Sequence, residues 1–91
     1  MNEFSKTVTV NHAYGIHARV AVKIVEIAKK FNSEVFLIKN GKKGDAKSII
    51  EILMLAIANG EDIIIEAKGE DCVEAVEEVI NFIKESSEKY L

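Results

Sequence analysis

Several residue types are scarce in this chain of 91 residues, and each scarcity excludes a class of protein. Because there is a single cysteine, Cys72, no disulfide can form within the chain, which fits a reducing, cytoplasmic setting. Cys72 is expected to pack against a sheet as a small residue. The two histidines with one distant cysteine are a poor set of metal ligands, and His12 has no partner that spacing identifies. The sequence therefore predicts no bound metal and no cofactor.

Long apolar segments and an excess of positive charge are also missing. The longest apolar run, Ile52 to Ala58, is far shorter than the roughly 20 residues that a membrane-spanning helix needs, and no signal peptide is recognisable. The formal net charge of −3 argues against nucleic acid as the main partner. No proline, linker or repeat divides the chain. One domain over residues 1–91, with no insertion into a membrane, is expected.

The spacing of the apolar residues predicts strands and helices in the order β-α-β-β-α-β-α. Strands are expected at residues 5–10, 34–39, 42–46 and 62–68, and helices at residues 18–31, 48–58 and 70–89. Asn40-Gly41 predicts a tight hairpin turn, and Asn59-Gly60 is expected to end the second helix. In the third helix we expect one apolar stripe to face the core: Val73, Val76, Ile80 and Ile83.

This order predicts an α+β fold, in which a four-stranded antiparallel or mixed sheet carries its helices on one face. The alternation of polar and apolar residues in the first strand predicts that the other face meets solvent. The first six elements also suit a ferredoxin-like fold, and with it a ligand-binding or nucleic-acid-binding module. Such a module needs a basic or aromatic sheet surface, which the acidic charge balance and the 7% aromatic content disfavour.

His17 lies where a loop ends and the first amphipathic helix begins, at about the N-cap position. There the backbone N–H groups of Ala18, Arg19 and Val20 point out of the helix, and together with the helix dipole they favour an anion. A neutral imidazole is a competent nucleophile near neutral pH, and a guanidinium matches phosphate geometry. The pattern fits a phosphoacceptor at His17 assisted by Arg19, and it also fits a solvated histidine in a turn, which is the commoner case.

The stretch Gly15-Ile16-His17-Ala18-Arg19 resembles the active-site motif of the HPr family, the histidine-containing phosphocarrier proteins of the phosphoenolpyruvate-dependent sugar phosphotransferase system. The resemblance continues through Lys30-Phe31-Asn32-Ser33, Lys47-Ser48-Ile49 and Asn59-Gly60, and covers nearly the whole chain. It implies an open-faced β-sandwich of four antiparallel strands with three helices on one side. It also implies that His17 is phosphorylated on Nδ1 and that Arg19 stabilises the phosphoryl group.

A phosphocarrier of this kind is a substrate of other enzymes and not itself an enzyme. The resemblance implies that phospho-enzyme I supplies the phosphoryl group and that sugar-specific IIA components receive it. The alternative is a regulatory binding module on the same fold, engaged in catabolite control, with little or no phosphotransfer. HPr kinase/phosphorylase and a catabolite-control regulator are the further partners that the resemblance suggests.

The sequence departs from the family pattern at two positions beside the motif. Proline usually follows the arginine, whereas this chain has Val20, which restores a backbone N–H and removes the fixed φ of proline. Tyr14 stands where a small or polar residue is more usual. The change at Val20 favours the regulatory alternative, and the intact His17 and Arg19 favour the carrier.

Ser48 is expected to begin the second helix and has two explanations. The stretch Ser48-Ile49-Ile50-Glu51 fits a capping box, in which the serine hydroxyl accepts a hydrogen bond from the Glu51 amide and the Glu51 carboxylate accepts one from the Ser48 amide. By resemblance, Ser48 is also the serine that HPr kinase/phosphorylase phosphorylates. Glu51 opposes this second role, because it would place a negative charge one turn from the phosphate.

The second helix is apolar on nearly every side, and a small open sandwich cannot cover all of it. Ile52, with Leu55 or Met54, is expected to face the core. The matching positions of the family form a hydrophobic patch that binds partner proteins, as a modest exposed patch beside a transfer site would. The residues expected to be partly exposed in this patch are Ile49, Ile50 and Leu53.

Overall fold

The computed structural model describes residues 2–85, which form four strands and three helices. The strands are β1 (Glu3–Thr9), β2 (Glu34–Lys39), β3 (Lys42–Asp45) and β4 (Asp62–Lys68). The helices are α1 (Ala18–Ala28), α2 (Ile49–Met54) and α3 (Cys72–Glu85). The element order predicted from the sequence is confirmed. Within these residues, no helix combines the length and the hydropathy needed to cross a membrane.

The four strands form one antiparallel sheet in the order β1-β4-β2-β3. Ile64 of the central strand β4 pairs with Thr7 of β1 on one side and with Ile38 of β2 on the other. Asn40 and Gly41 turn the β2–β3 hairpin with φ of 50° and 81°, as predicted. A ferredoxin-like fold places the third strand between the first two, whereas here β4 lies between them, so that alternative is wrong.

The core lies between one face of the sheet and the three helices. In β4 the side chains alternate, so that Ile63 and Ile65 are buried while Ile64 is exposed on the opposite face. The sheet therefore has one face toward the core and one toward solvent, as predicted. The helices cover the inner face with Val20, Ala21, Ile24, Val25 and Ala28 of α1, Ile52 of α2, and Cys72, Ala75, Val76, Val79, Ile80 and Ile83 of α3.

The first helix ends at Ala28, earlier than the predicted Phe31. The Phe31 amide already bonds to the Ala28 carbonyl, three residues back, which tightens the last turn. The next two amides, those of Asn32 and Ser33, donate to the carboxylate of Asp71, each at 2.9 Å. The helix stops because these amides bond to a distant side chain instead of to the preceding turn.

The second helix ends at Met54, and the predicted continuation to residue 58 is wrong. Ala56 adopts a left-handed conformation with φ of 51°. This turn sends Ile57 into the core, where its carbonyl accepts a hydrogen bond from the Ile16 amide at 3.0 Å. The pair Asn59-Gly60 therefore forms a turn into β4 and does not end the helix.

The third helix begins at Cys72 and is described to Glu85, so the predicted end near residue 89 lies outside the described residues. Cys72 is buried, as expected. Val73 was predicted to face the core but is exposed. It lies about 100° around the helix from Cys72, on which the buried stripe is centred, and so falls beyond the edge of that stripe.

Candidate functional site

His17 occupies the N-cap of α1 with an extended backbone (φ −83°, ψ −178°), as the sequence predicts. Its Nδ1 accepts a hydrogen bond from the backbone amide of Arg19 at 3.3 Å. Its carbonyl accepts from the Ala21 amide at 2.9 Å, which is the first i→i−4 bond of the helix. The imidazole thus fills the role that serine or asparagine has at other helix starts.

The cap bond is compatible with only one tautomer of the neutral ring. Because Nδ1 accepts a hydrogen bond, the neutral imidazole carries its proton on Nε2 and presents the Nδ1 lone pair toward the first turn of α1. The amides of Ala18, Arg19 and Val20 lie in that turn, ahead of the first i→i−4 bond. His17 is half-buried and Arg19 is exposed. An anion that approaches Nδ1 meets the positive end of the helix dipole.

The loop before His17 is locked to the rest of the fold. Gly15 has φ of 67°, and a Cβ there would lie 2.2 Å from the carbonyl oxygen of Ile57, so only glycine fits. Its amide donates to the carbonyl of His12 at 2.9 Å. His12 is fully buried, and its Nε2 lies 3.2 Å from the carbonyl of Ile83 in α3. Sequence spacing did not identify this contact because the two residues are far apart in the chain.

Tyr14 and Val20, the two departures from the family pattern, have different environments. The Tyr14 ring stands edge-on to the His17 imidazole, with centroids 6.5 Å apart and an interplanar angle of 72°. The Tyr14 residue as a whole is 75% exposed. Val20 is completely buried in the core, so its side chain packs where the proline of the family pattern would stand.

Ser48 is the N-cap of α2, and half of the predicted capping box is present. Its hydroxyl accepts from the Glu51 amide at 3.2 Å. The second half is wrong, because the Glu51 carboxylate accepts from the amide of Asp45 at 2.9 Å, and the Ser48 amide donates to the Asp45 carbonyl at 3.0 Å. The tight turn after β3 brings the Asp45 amide within reach of Glu51 and bonds the Ser48 amide in its place.

The exposed apolar residues of α2 form a patch, which we define as Ile49, Ile50, Leu53 and Met54. The first three were predicted to be exposed, and they are. Met54 joins them at 78% exposure, whereas Ile52 and Leu55 are buried in the core. The helix is therefore divided between a core face and this apolar patch.

A polar cluster away from His17 was not predicted. The Asp71 carboxylate accepts from the hydroxyl of Ser33 and from the amides of Asn32 and Ser33. These hydrogen bonds, that of the Ser33 hydroxyl foremost, lower the pKa of Asp71 below its ordinary value of 3.8. In the same way, the Ala58 amide and Lys39 lower the pKa of Glu61. Both carboxylates fix loops, and no group of metal-ligating side chains occurs among the described residues.

Comparison with known proteins bears on this geometry. Residues 4–85 match the family described as the PTS HPr component phosphorylation site. The chain belongs to the HPr family. Among HPr-family relatives, the HPr-like protein Crh of Bacillus subtilis (strain 168) is 42% identical over 71 residues, which cover 78% of this chain and 84% of Crh. Phosphocarrier protein HPr of Buchnera aphidicola subsp. Acyrthosiphon pisum is 40% identical over 74 residues, 81% of this chain and 87% of that protein.

The fold agrees with HPr structures as well. The crystal structure of HPr-C-His from Thermoanaerobacter tengcongensis aligns with a TM-score of 0.90 at 32% identity, over 97% of this chain and 99% of that one. The predicted α+β open-faced sandwich and the membership of the HPr family are confirmed. Both HPr and the HPr-like Crh are similar to this chain to about the same degree, so identity does not separate a carrier from a regulatory module.

Proposed function

We propose that this protein is a phosphocarrier, which accepts a phosphoryl group on Nδ1 of His17 from phospho-enzyme I and passes it to sugar-specific IIA components in the cytoplasm. One observation carries the proposal. The Nδ1 of His17 accepts a hydrogen bond from the Arg19 amide, so its lone pair faces the N-terminus of α1, where the backbone amides and the helix dipole favour an anion.

The transfer follows from this arrangement. The Nδ1 lone pair forms the new bond to phosphorus while the donor's bond to phosphorus breaks and its electron pair leaves with the donor. The new bond uses the lone pair, so the Arg19 amide is released from Nδ1 to a phosphoryl oxygen. The amides of Ala18 and Val20 and the exposed Arg19 guanidinium are further donors. Because His17 is only half-buried and Arg19 is exposed, the phosphoryl group remains accessible to the next acceptor.

Docking of the two partners is assigned to the apolar patch. Exposed apolar side chains on a short helix suit the small, transient interfaces that a carrier must form and release. Ile49, Ile50 and Leu53 are the proposed partner-binding residues, and Met54 extends the patch. In this role the protein is the substrate of two other enzymes and is not itself an enzyme.

A second candidate is a regulatory module in catabolite control, with little or no phosphotransfer. It is favoured by the similarity to Crh and by Val20 in place of the family's proline. In this role HPr kinase/phosphorylase modifies Ser48, and a catabolite-control regulator binds the product. The two carboxylates beside Ser48, those of Asp45 and Glu51, oppose it.

The test is phosphoryl transfer from phosphoenolpyruvate through enzyme I, followed by intact mass and phosphorus NMR. An acid-labile phosphate is expected on the wild type and on neither His17→Ala nor His17→Asn. The asparagine variant is the matched control, because it keeps an N-cap acceptor and so separates loss of chemistry from loss of the cap. A wild type that takes no phosphate from an enzyme I that phosphorylates another HPr would overturn the carrier role.

A further inference from the structure

The contact between Tyr14 and His17 is not a by-product of core packing. Tyr14 is 75% exposed, and its ring stands edge-on to the imidazole at 6.5 Å between centroids. Centroid distances of about 4.5–7 Å with a T-shaped orientation are the favourable arrangement for two aromatic rings. The largely exposed Tyr14 ring thus contacts the imidazole of His17.

The backbone between the two rings is held in place. The Gly15 amide donates to the His12 carbonyl, and the Ile16 amide donates to the Ile57 carbonyl. The close approach of Gly15 to Ile57 leaves no room for the loop to shift inward. With the backbone fixed, the relative position of the Tyr14 and His17 side chains depends on their own torsion angles.

The cap bond restrains the imidazole only loosely. Its length of 3.3 Å exceeds the roughly 3.0 Å that is common for backbone amide donors. Val20 also gives up the fixed φ of the family's proline in the same helical turn. The Tyr14 ring contacts the imidazole and is placed to add to the restraint that the cap bond supplies.

We propose that Tyr14 is a positioning residue for His17, and that its ring limits rotation of the imidazole so that Nδ1 stays directed at the first-turn amides of α1. The inference rests on the proposed phosphocarrier function, because an aimed Nδ1 matters only if that atom reacts. It assigns a role to a position where small or polar residues are usual in the family.

The test compares Tyr14→Ala with Tyr14→Phe, which keeps the ring and removes the hydroxyl. Three-bond couplings of the His17 side chain report its rotamers, and phosphoramidate, a small phosphoryl donor, reports the reactivity of Nδ1 without any partner protein. In Tyr14→Ala we expect couplings that are averaged over several rotamers. We also expect phosphorylation to be about two- to tenfold slower, the factor that corresponds to the free energy of an aromatic pair. Tyr14→Phe is expected to match the wild type.

Unchanged couplings and rate in Tyr14→Ala would overturn the inference, and so would a Tyr14→Phe variant that behaves like Tyr14→Ala. Val73→Ala, which truncates an exposed apolar residue of α3, is the control and should change neither readout. Failure of the carrier function would give a different result: phosphoramidate would phosphorylate the wild type at His17, but enzyme I would not.

Discussion

The carboxylate of Glu51 accepts a hydrogen bond from the backbone amide of Asp45 at 2.9 Å, and so ties the first turn of α2 to the end of β3. The Asp45 carboxylate accepts in turn from the Lys47 amide at 2.8 Å. Ser48 lies between the two acidic residues in the chain, and its hydroxyl is already engaged as the helix cap. A phosphate on Ser48 would bring a charge of about −2 beside two carboxylates and would break the cap bond.

We therefore expect Glu51 to oppose a negative charge at position 48. Ser48→Asp should cost more stability in the wild type than in Glu51→Gln, by about 0.2–0.5 kcal/mol, the size of a like-charge pair one helical turn apart. Urea unfolding of the two single variants and the double variant measures this coupling. HPr kinase/phosphorylase should also modify Ser48 faster in Glu51→Gln. Glu74→Gln removes a charge from α3 and is the control. If it shows the same coupling with Ser48→Asp, the coupling reflects the net charge of the protein and not the proximity of Glu51.

The contact within the first turn of α2 shows what the sequence can predict. The Ser48 hydroxyl and the Glu51 amide are three residues apart, so helix geometry alone brings them together. The same local logic placed His17 at an N-cap, the Asn40-Gly41 turn in a hairpin, and Ile50 on an exposed helix face. The family resemblance then implied a fully antiparallel sheet, where periodicity had left an antiparallel or a mixed one, and the strand order β1-β4-β2-β3 came only from the structure.

The contacts that the sequence did not predict depend on tertiary structure. Glu51 bonds to Asp45 because of the turn after β3, and α1 ends where the amides of Asn32 and Ser33 reach Asp71. Neither contact follows the spacing of a helix or a strand, so neither leaves a periodic pattern in the sequence. The edge-on contact of Tyr14 with His17 is local in the chain, but it depends on the rotamers of both side chains, which the sequence does not specify.

Val20 provides a test of the first-turn donors. Val20→Pro removes one backbone N–H, and proline is compatible with the first turn of a helix. If that N–H donates to the phosphoryl group, the equilibrium between phospho-enzyme I and phosphorylated protein should shift ten- to hundredfold toward enzyme I, since a hydrogen bond to a charged group contributes about 1.5–3 kcal/mol. Quenched mixtures at several enzyme I ratios, separated by mass, give the constant.

Val20→Ala is the matched control for this change, because it keeps the N–H and removes buried side-chain volume. We expect it to lower the free energy of unfolding and to leave the phosphotransfer equilibrium unchanged. An equilibrium that Val20→Pro does not shift would mean that the N–H does not reach the phosphate. A gain of phosphotransfer in Val20→Pro over an inactive wild type would instead support the regulatory module.

Ile50 is the most exposed of the three proposed partner-binding residues, at 67%, and therefore separates docking from folding better than Ile49 or Leu53. Ile50→Ser should raise the KM for phosphorylation by enzyme I about fivefold or more, as expected for an interface residue worth over 1 kcal/mol. The free energy of unfolding should change by less than about 0.5 kcal/mol. Ile64→Ser, on the solvent face of the sheet, is the control. Equal KM values for the two variants would remove the patch from the docking surface.

The Asp71 carboxylate makes the free energy of unfolding depend on pH in the acid range. Its pKa is lower in the folded protein than its ordinary value of 3.8, because the Ser33 hydroxyl and the backbone amides of Asn32 and Ser33 bond to the charged form. The folded state therefore binds fewer protons than the unfolded state. The stabilisation is fully present well above pH 3.8 and is lost as the pH falls through the lower, folded-state pKa. Asp71→Asn should be less stable than the wild type at pH 7 and should lose less stability on acidification.

Urea unfolding at pH 7, 5, 4 and 3 measures this dependence, with Glu74→Gln as a variant that removes an exposed carboxylate outside the cluster. Ser33→Ala is expected to lie between the wild type and Asp71→Asn, because it removes the hydroxyl donor and keeps both amides. If the curves of the wild type and Asp71→Asn run parallel below pH 4, the carboxylate does not titrate with folding. The turn that ends α1 would then owe its stability to the shape of the cluster and not to its charge.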